Sequence, residues 1–126
     1  MTVLVPRHPG GAADLAMFAT RVARYEAESV VRIVADGLVA GCFAETPFDA
    51  LALRAVELAE PITIDLVFEA GTVAARAVGE RGELELPPPV PALRWTSSLP
   101  PRRGWTSLTS LPGPEVERRV LAGVEE

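Results

Sequence analysis

Apolar residues recur along this chain at two periods, every three to four positions and every second position, and the switches between them outline its elements. The first helical stretch follows Gly10 and Gly11, where ADLAMFATRVARYEA sets Leu15, Phe18, Val22 and Tyr25 on one face. Asp14 in the first turn and Arg24 near the end complement the helix dipole, and the spacing predicts a helix over 12–27. The period then changes to two. SVVRIVA and LVAGCFA are β-rich runs joined by Asp36-Gly37. That dipeptide suits a type I′ turn, because aspartate tolerates positive φ and glycine adopts it freely. A β-hairpin centred on Asp36-Gly37 is expected, with Gly41 marking a bulge or a close backbone approach.

Residues 46–60 carry both signals. Thr46-Pro47-Phe48-Asp49 reads as a helix start, with a Thr cap, Pro at the first position and an acid following. Leu51, Leu53 and Ala55 alternate as in a strand, and over 48–60 the strand reading is preferred to the helix. Pro61 lacks an N–H and is expected to end the element. ITIDLVF then forms a strand with Ile62, Ile64, Leu66 and Phe68 on one face. EAGTVAARAVG follows as a helix stopped by Gly79 and Gly82, and ELEL as a short last strand. Residues 1–86 are therefore expected to form an α+β domain: a mostly antiparallel sheet of about four strands with helices on one face.

Residues 87–114, PPPVPALRWTSSLPPRRGWTSLTSLPGP, break both periods. They hold eight of the twelve prolines, both tryptophans, three arginines and no acid. Trp95-Thr96-Ser97 recurs ten residues on as Trp105-Thr106-Ser107. Proline excludes ordinary helix and central strand here. A polyproline II segment of this length spans ~85 Å at ~3.1 Å per residue, against ~30 Å for a body of this size. The expectation is an extended arm that folds back, wraps the body or reaches another molecule. Each Trp is a candidate anchor, able to bury ~200 Å² worth up to ~5 kcal/mol. EVERRVLAGVEE over 115–126 places Val116, Val120, Leu121 and Val124 on a helical stripe. It is either a short terminal helix or the start of a truncated further region, with 87–114 as the connector.

Composition narrows this picture. The chain has 126 residues and 48% hydrophobic content, enough for one folded domain without disulfide or metal support. Net charge is −5. Residues 26–85 hold twelve acids and four arginines, whereas 87–114 are purely basic in charge. An acidic body disfavours a nucleic-acid surface and complements a basic arm lying on it. All basic residues other than His8 are arginine and no Lys, Asn or Gln occurs, a codon-composition effect that removes any argument from arginine enrichment. A single Cys42 fits a reducing cytoplasm. Neither a secretory leader nor a membrane-spanning helix is expected.

Candidate chemistry is sparse. One His and one Cys cannot build a zinc site, and no HExxH, CxxC, GxSxG or phosphate loop occurs. A Cys42–His8 nucleophile pair competes with the ordinary reading of Cys42 as a buried, inert strand residue. Asp65, Glu57 and Glu45 are the best-placed carboxylates for acid–base work, but a wet outer sheet face shows the same pattern. Pro88, Pro89 and Pro91 followed by Arg94 approach a PxxP ligand, one residue out of register. No catalytic residue, metal ligand or cofactor is assigned.

The run Ala92-Leu93-Arg94-Trp95 followed by Pro100-Pro101-Arg102-Arg103-Gly104-Trp105 resembles a segment in a family of uncharacterised proteins from high-GC Gram-positive bacteria. There, similar text joins an N-terminal α+β part to a helical C-terminal part. The resemblance implies no activity and no site residues. The element order is also similar to one unit of a sliding-clamp subdomain, a likeness of topology alone. The function expected is a non-catalytic cytoplasmic module for protein contacts, chiefly self-association as a homodimer, with Trp95, Trp105, Arg94, Arg102 and Arg103 as contact residues. The alternatives are a small-molecule or enzymatic site in a pocket between sheet and arm, lined by Trp95, Trp105 and Arg94, and a clamp-like nucleic-acid accessory protein.

Overall fold

Two long strands carry the fold. The computed structural model describes residues 2–76 and 78–125, Glu125 by its backbone only. In chain order the elements are β1 (Val3–Leu4), α1 (Gly11–Tyr25), β2 (Val30–Glu45), β3 (Leu51–Glu69), α2 (Ala70–Ala74), β4 (Leu84–Glu85), a 3-10 turn (Ala92–Arg94) and α3 (Gly113–Glu125). They form two antiparallel two-stranded sheets, β1–β4 and β2–β3, among the described residues. The class is α+β, but the expected four-stranded sheet is absent because what read as four strands is one hairpin.

The hairpin does not turn at Asp36-Gly37. β2 runs through that dipeptide, and the reversal lies at 46–50, where Asp49 takes a φ of 56° and the Thr46 amide donates to the Ala50 carbonyl at 3.0 Å. The Thr46 hydroxyl donates to the same oxygen at 2.7 Å. Gly37 does adopt positive φ, 111°, in the service of a bulge. Pairing slips between Gly37, opposite Ile62, and Val39, opposite Glu57. Leu38 thus faces the four residues 58–61. Pro61 falls inside this unpaired stretch, so its missing N–H costs no ladder bond and the strand continues through it to Glu69. The clamp-like element order dissolves with the same correction.

The bulge changes which residues point inward. Val31, Ile33 and Ala35 are buried before it, and Ala40, Cys42 and Ala44 after it. The odd positions face the core in the first half and the even ones in the second, which is the parity change an inserted residue imposes. Both halves contribute to one core with Leu4, Leu15, Phe68, Val73, Leu84 and their neighbours. The core is therefore possible only because the hairpin bends over itself. Straight, β2 would run ~50 Å, yet Val30 at its start and Glu45 at its end line one depression together with Arg94.

The surrounding elements complete this core. α1 buries Ala12, Leu15, Ala19 and Val22, a face shifted from the expected stripe. Phe18 is half-buried and Tyr25 stands 73% exposed. The small residues bring the helix close to the hairpin. The N-terminal segment binds the outer edge of β3 at the bulge, with Arg7 N–H donating to Glu57 O at 2.8 Å and Ala59 N–H to Val5 O at 2.7 Å. α2 is shorter than its periodicity suggests. Val78 bridges to Leu84, and Gly79 N–H bonds Glu83 O at 2.9 Å, so the chain leaves the helix to deliver β4 to β1 (Ala77 and Glu126 of the expected helices lie outside the described residues). Tertiary pairing overrides helix propensity at this point.

Gly37→Ala should therefore destabilise the protein by roughly 1–3 kcal/mol, because a Cβ is strained at this φ although space is open. Gly71→Ala, in α2 and equally uncrowded, should instead add up to ~1 kcal/mol. Urea unfolding of the two variants checks the contrast; equal midpoints would show that the bulge has no conformational requirement.

Candidate contact surface

The basic, proline-rich segment divides after Ser97. Its first part lies along the outer face of the hairpin. Val90 N–H donates to Val67 O at 2.8 Å, an isolated bridge that a proline-flanked valine can make on a sheet edge. Arg94 then reaches the open end of the hairpin, with Nη1 on Glu69 Oε1 at 3.0 Å and Nη2 on Glu28 O at 2.7 Å. Trp95 is 8% exposed, and its Nε1–H donates to Ser97 O at 2.6 Å, so the ring is covered while its one polar atom is satisfied.

The next two residues close on Glu45. Its Oε1 accepts from Thr96 N–H at 3.1 Å, Thr96 Oγ1 at 3.2 Å and Ser97 N–H at 3.0 Å. Burial pushes the Glu45 carboxyl pKa up, but the hydrogen bonds from Ser97 and Thr96 outweigh it and hold the group below its ordinary value. Glu45 ends β2 and Glu69 ends β3, at opposite ends of the hairpin. Arg94 and Thr96 are two residues apart, within ~7 Å along the chain. The segment therefore ties the folded-over hairpin across its opening.

Beyond Ser97 the pattern stops. Residues 100–112 are exposed, and Trp105 is 72% exposed. Its Nε1–H turns back to Pro101 O, closing a local turn in which Gly104 takes a φ of 83°. Arg102 and Arg103 are exposed. α3 is exposed along its whole described length except at half-buried Glu115, and its apolar residues Val116, Val120, Leu121 and Val124 have no cover. Of the five contact residues named from sequence, the structure brings Arg94 and Trp95 onto the body and leaves Trp105, Arg102 and Arg103 in solvent. The acidic partners Glu45 and Glu69 were not legible as partners, because their pairing follows from the bend.

A second surface was hidden by the misplaced turn. On the outer face of the hairpin's far half, Val39, Gly41 and Phe43 of β2 stand opposite Glu57, Ala55 and Leu53 of β3. Phe43 and Leu53 lean over Gly41, where a Cβ would meet Phe43 Cε2 at 3.1 Å and Leu53 Cδ1 at 3.4 Å. This aromatic covering of a strand glycine stabilises an otherwise bare position. Leu53 is still 54% exposed, and Val39, Leu38 and Phe48 are exposed too. The strip is apolar, open, and bounded by Glu45 and Glu57.

The groups considered for chemistry are separated and engaged. Cys42 is fully buried, which pushes its thiol up to about 12, whereas His8 is on the surface, 3.4 Å from Glu57. Asp65 receives a bidentate pair of bonds from Arg32, Nε–Oδ1 2.7 Å and Nη2–Oδ2 2.8 Å, which holds its carboxyl below the ordinary range. Asp65, Glu57 and Glu45 line different cavities. A groove of about 390 Å³ does lie between sheet and segment, lined by Arg32, Asp65, Val67, Pro89, Val90 and Trp95 among others. Among the described residues no cluster of three or more His, Cys, Asp or Glu could hold a metal, and no helix is long and apolar enough to cross a membrane.

Comparison with known proteins yields one match. The model of a domain of unknown function, DUF8010, covers residues 1–97. No curated protein and no solved structure matches. The family match ends at Ser97, the last residue bonded to Glu45, so the docked segment belongs to the family's domain and the exposed one follows it.

Trp95→Ala should cost ~3–5 kcal/mol, as for other buried aromatic truncations, while Trp105→Ala should stay within ~0.5 kcal/mol in dilute solution. Thermal and denaturant unfolding check the pair, and similar losses would contradict the division at Ser97. A second expectation follows from Glu45. Its carboxyl binds a proton less readily folded than unfolded, so its contribution is complete above the ordinary Glu range of ~4.3 and is lost as pH falls through the lower folded value. In a Trp105→Phe background, Trp95 emission should shift to the red over that acid range. Glu45→Gln should lose this transition, and an identical acid profile in the two proteins would remove Glu45 as the clasp.

Proposed function

Because the chain belongs to the DUF8010 family, whose description assigns no activity, we propose a function from its geometry: a non-catalytic module for protein contacts that self-associates through surfaces its own fold leaves bare. The observation that carries this reading is the open apolar strip around Leu53 and half-buried Phe43, together with a tail whose apolar groups are exposed. Surface area supports it. The chain exposes 8695 Å², whereas a compact monomer of its 13.4 kDa exposes ~6,500 Å². The excess, roughly 2,000 Å², suffices for a standard interface. The carboxylates and the thiol that acid–base or nucleophilic chemistry needs are each taken up structurally. The lone thiol of Cys42 also fits a reducing compartment, so the reading includes a cytoplasmic location.

A small-molecule site in the groove beside Trp95 has the cavity itself in its favour. Arg32 and Asp65 satisfy each other there, however, and the Trp95 ring is covered, which leaves few free groups to hold a ligand.

Sedimentation or light scattering of the purified protein should show a concentration-dependent dimer. Leu53→Asp, which puts a charge in the strip, should shift it to monomer, with a small loss in the monomer's unfolding midpoint because Leu53 also covers Gly41. A wild-type protein that stays monomeric at high micromolar concentration ends the self-association reading.

A further inference from the structure

The near-repeat Trp-Thr-Ser and the two outer faces of the hairpin match one to one. The outer face of the near half, around Val67 and Arg32, is covered by the segment that ends in Trp95-Thr96-Ser97. The outer face of the far half is open at Leu53 and Val39, with Phe43 half-buried, and the second copy of the repeat, Trp105-Thr106-Ser107, is exposed. The first repeat shows how this tripeptide docks: its ring is covered, in a groove shared with Val67 and Val90, beside a carboxylate that accepts from the Thr and Ser amides and the Thr hydroxyl. The strip offers Phe43 and Leu53 as the surface and, at its far end, the exposed carboxylate of Glu57, one oxygen of which lies 3.8 Å from Arg7 and 3.4 Å from His8. The segment 98–112 carries Arg102 and Arg103 and no acid, whereas the rim of the strip has Glu45, bonded to Thr96 and Ser97, Glu57 beside Arg7, and Glu60 beyond them, so acids outnumber arginines there and the charges are complementary.

Resting on the self-association reading, we infer that Trp105-Thr106-Ser107 of one copy docks on the Phe43–Leu53 strip of a second copy, each copy giving one tail and receiving one. Such an exchange is closed and two-fold, so it stops at the dimer. The source is the second copy because the copy's own tail does not take the site. Tethering raises the local concentration to the millimolar range where geometry allows, yet Trp105 is folded back onto Pro101 and stands in solvent. The turn that follows Pro100-Pro101, with Gly104 at positive φ, holds Trp105 against the Pro101 carbonyl.

The test uses full-length variants, and buried Cys42 does not interfere with surface thiol chemistry. Leu53→Cys and Ser107→Cys proteins are mixed and oxidised, and the wild type and Trp105→Ala are compared by sedimentation. A mixed disulfide dimer, absent from either variant alone, together with dimer association weakened roughly 30-fold by Trp105→Ala, is the expected result. A Trp105→Ala protein that dimerises as tightly as the wild type, or cysteine variants that give no mixed disulfide, overturns the exchange while leaving self-association standing. A wild type that never dimerises removes both. A doubly substituted chain that cross-links only within itself identifies its own tail as the occupant and overturns the exchange.

Discussion

One residue facing four governs this molecule. At Leu38 the ladder between β2 and β3 skips residues 58–61, and that slip lets two strands do the work of a larger sheet. Without it, every inward side chain of the first half would be followed by outward ones in the second once the hairpin bent, and the two halves could not share a core. With it, Ile33 and Cys42 belong to the same cluster. The slipped stretch also exposes backbone groups of β3 that the N-terminal segment takes up through Val5 and Arg7, so the irregularity creates the docking edge for β1 as well. A bent two-stranded ribbon is marginal alone; here α1 and the docked segment cover its two sides.

The bend in turn defines the role of the basic segment. Arg94 binds groups at the open end of the hairpin and Thr96 binds Glu45 near its tip, sites that a straight ribbon would hold ~50 Å apart. The segment thus stabilises a shape more than a surface. Individual exposed ion pairs are worth little, and the Arg94–Glu69 pair is half in water. What gives the clasp its strength is the covered Trp95 ring between two polar contacts, which fixes both ends of a short chain already stiffened by proline.

The elements of this fold were legible wherever local pattern and tertiary demand agreed. The helix over 12–27 appeared as Gly11–Tyr25, and the preference for strand after Phe48 agrees with β3. The hairpin was misplaced because Asp36-Gly37 carries the same conformational signal for two uses: positive φ at glycine closes a turn or opens a bulge, and nothing within ten residues distinguishes them. The parity of the apolar residues, odd through Ala35 and even from Ala40, does not separate the two either, because a two-residue turn pairing Ala35 with Leu38 would place the same even positions on the inward face. Pro61 misled for the related reason that a proline breaks a ladder only where a ladder exists. The site was less legible than the fold. Trp95 and Arg94 could be named, but Glu45 and Glu69 become partners only through the bend, and the Phe43–Leu53 strip only through the true register.

The repeat shows how a solvent-exposed tail acquires meaning from a docked one. Taken alone, Trp105 is an exposed aromatic on a proline-rich tail, and many surfaces would accommodate it. Trp95 removes that freedom, because the same tripeptide in the same chain is observed bound. Its ring is buried, its amides and hydroxyl meet one carboxylate, and its indole N–H stays within the motif. The two repeats differ chiefly in what precedes them: Arg94, which anchors to Glu69 and Glu28, against Gly104, which turns the chain at positive φ. That difference is the physical reason one repeat binds its own body and the other is presented outward. A residue that binds at the hairpin's open end holds Trp95 against the body, and a residue that reverses the chain at positive φ leaves Trp105 in solvent.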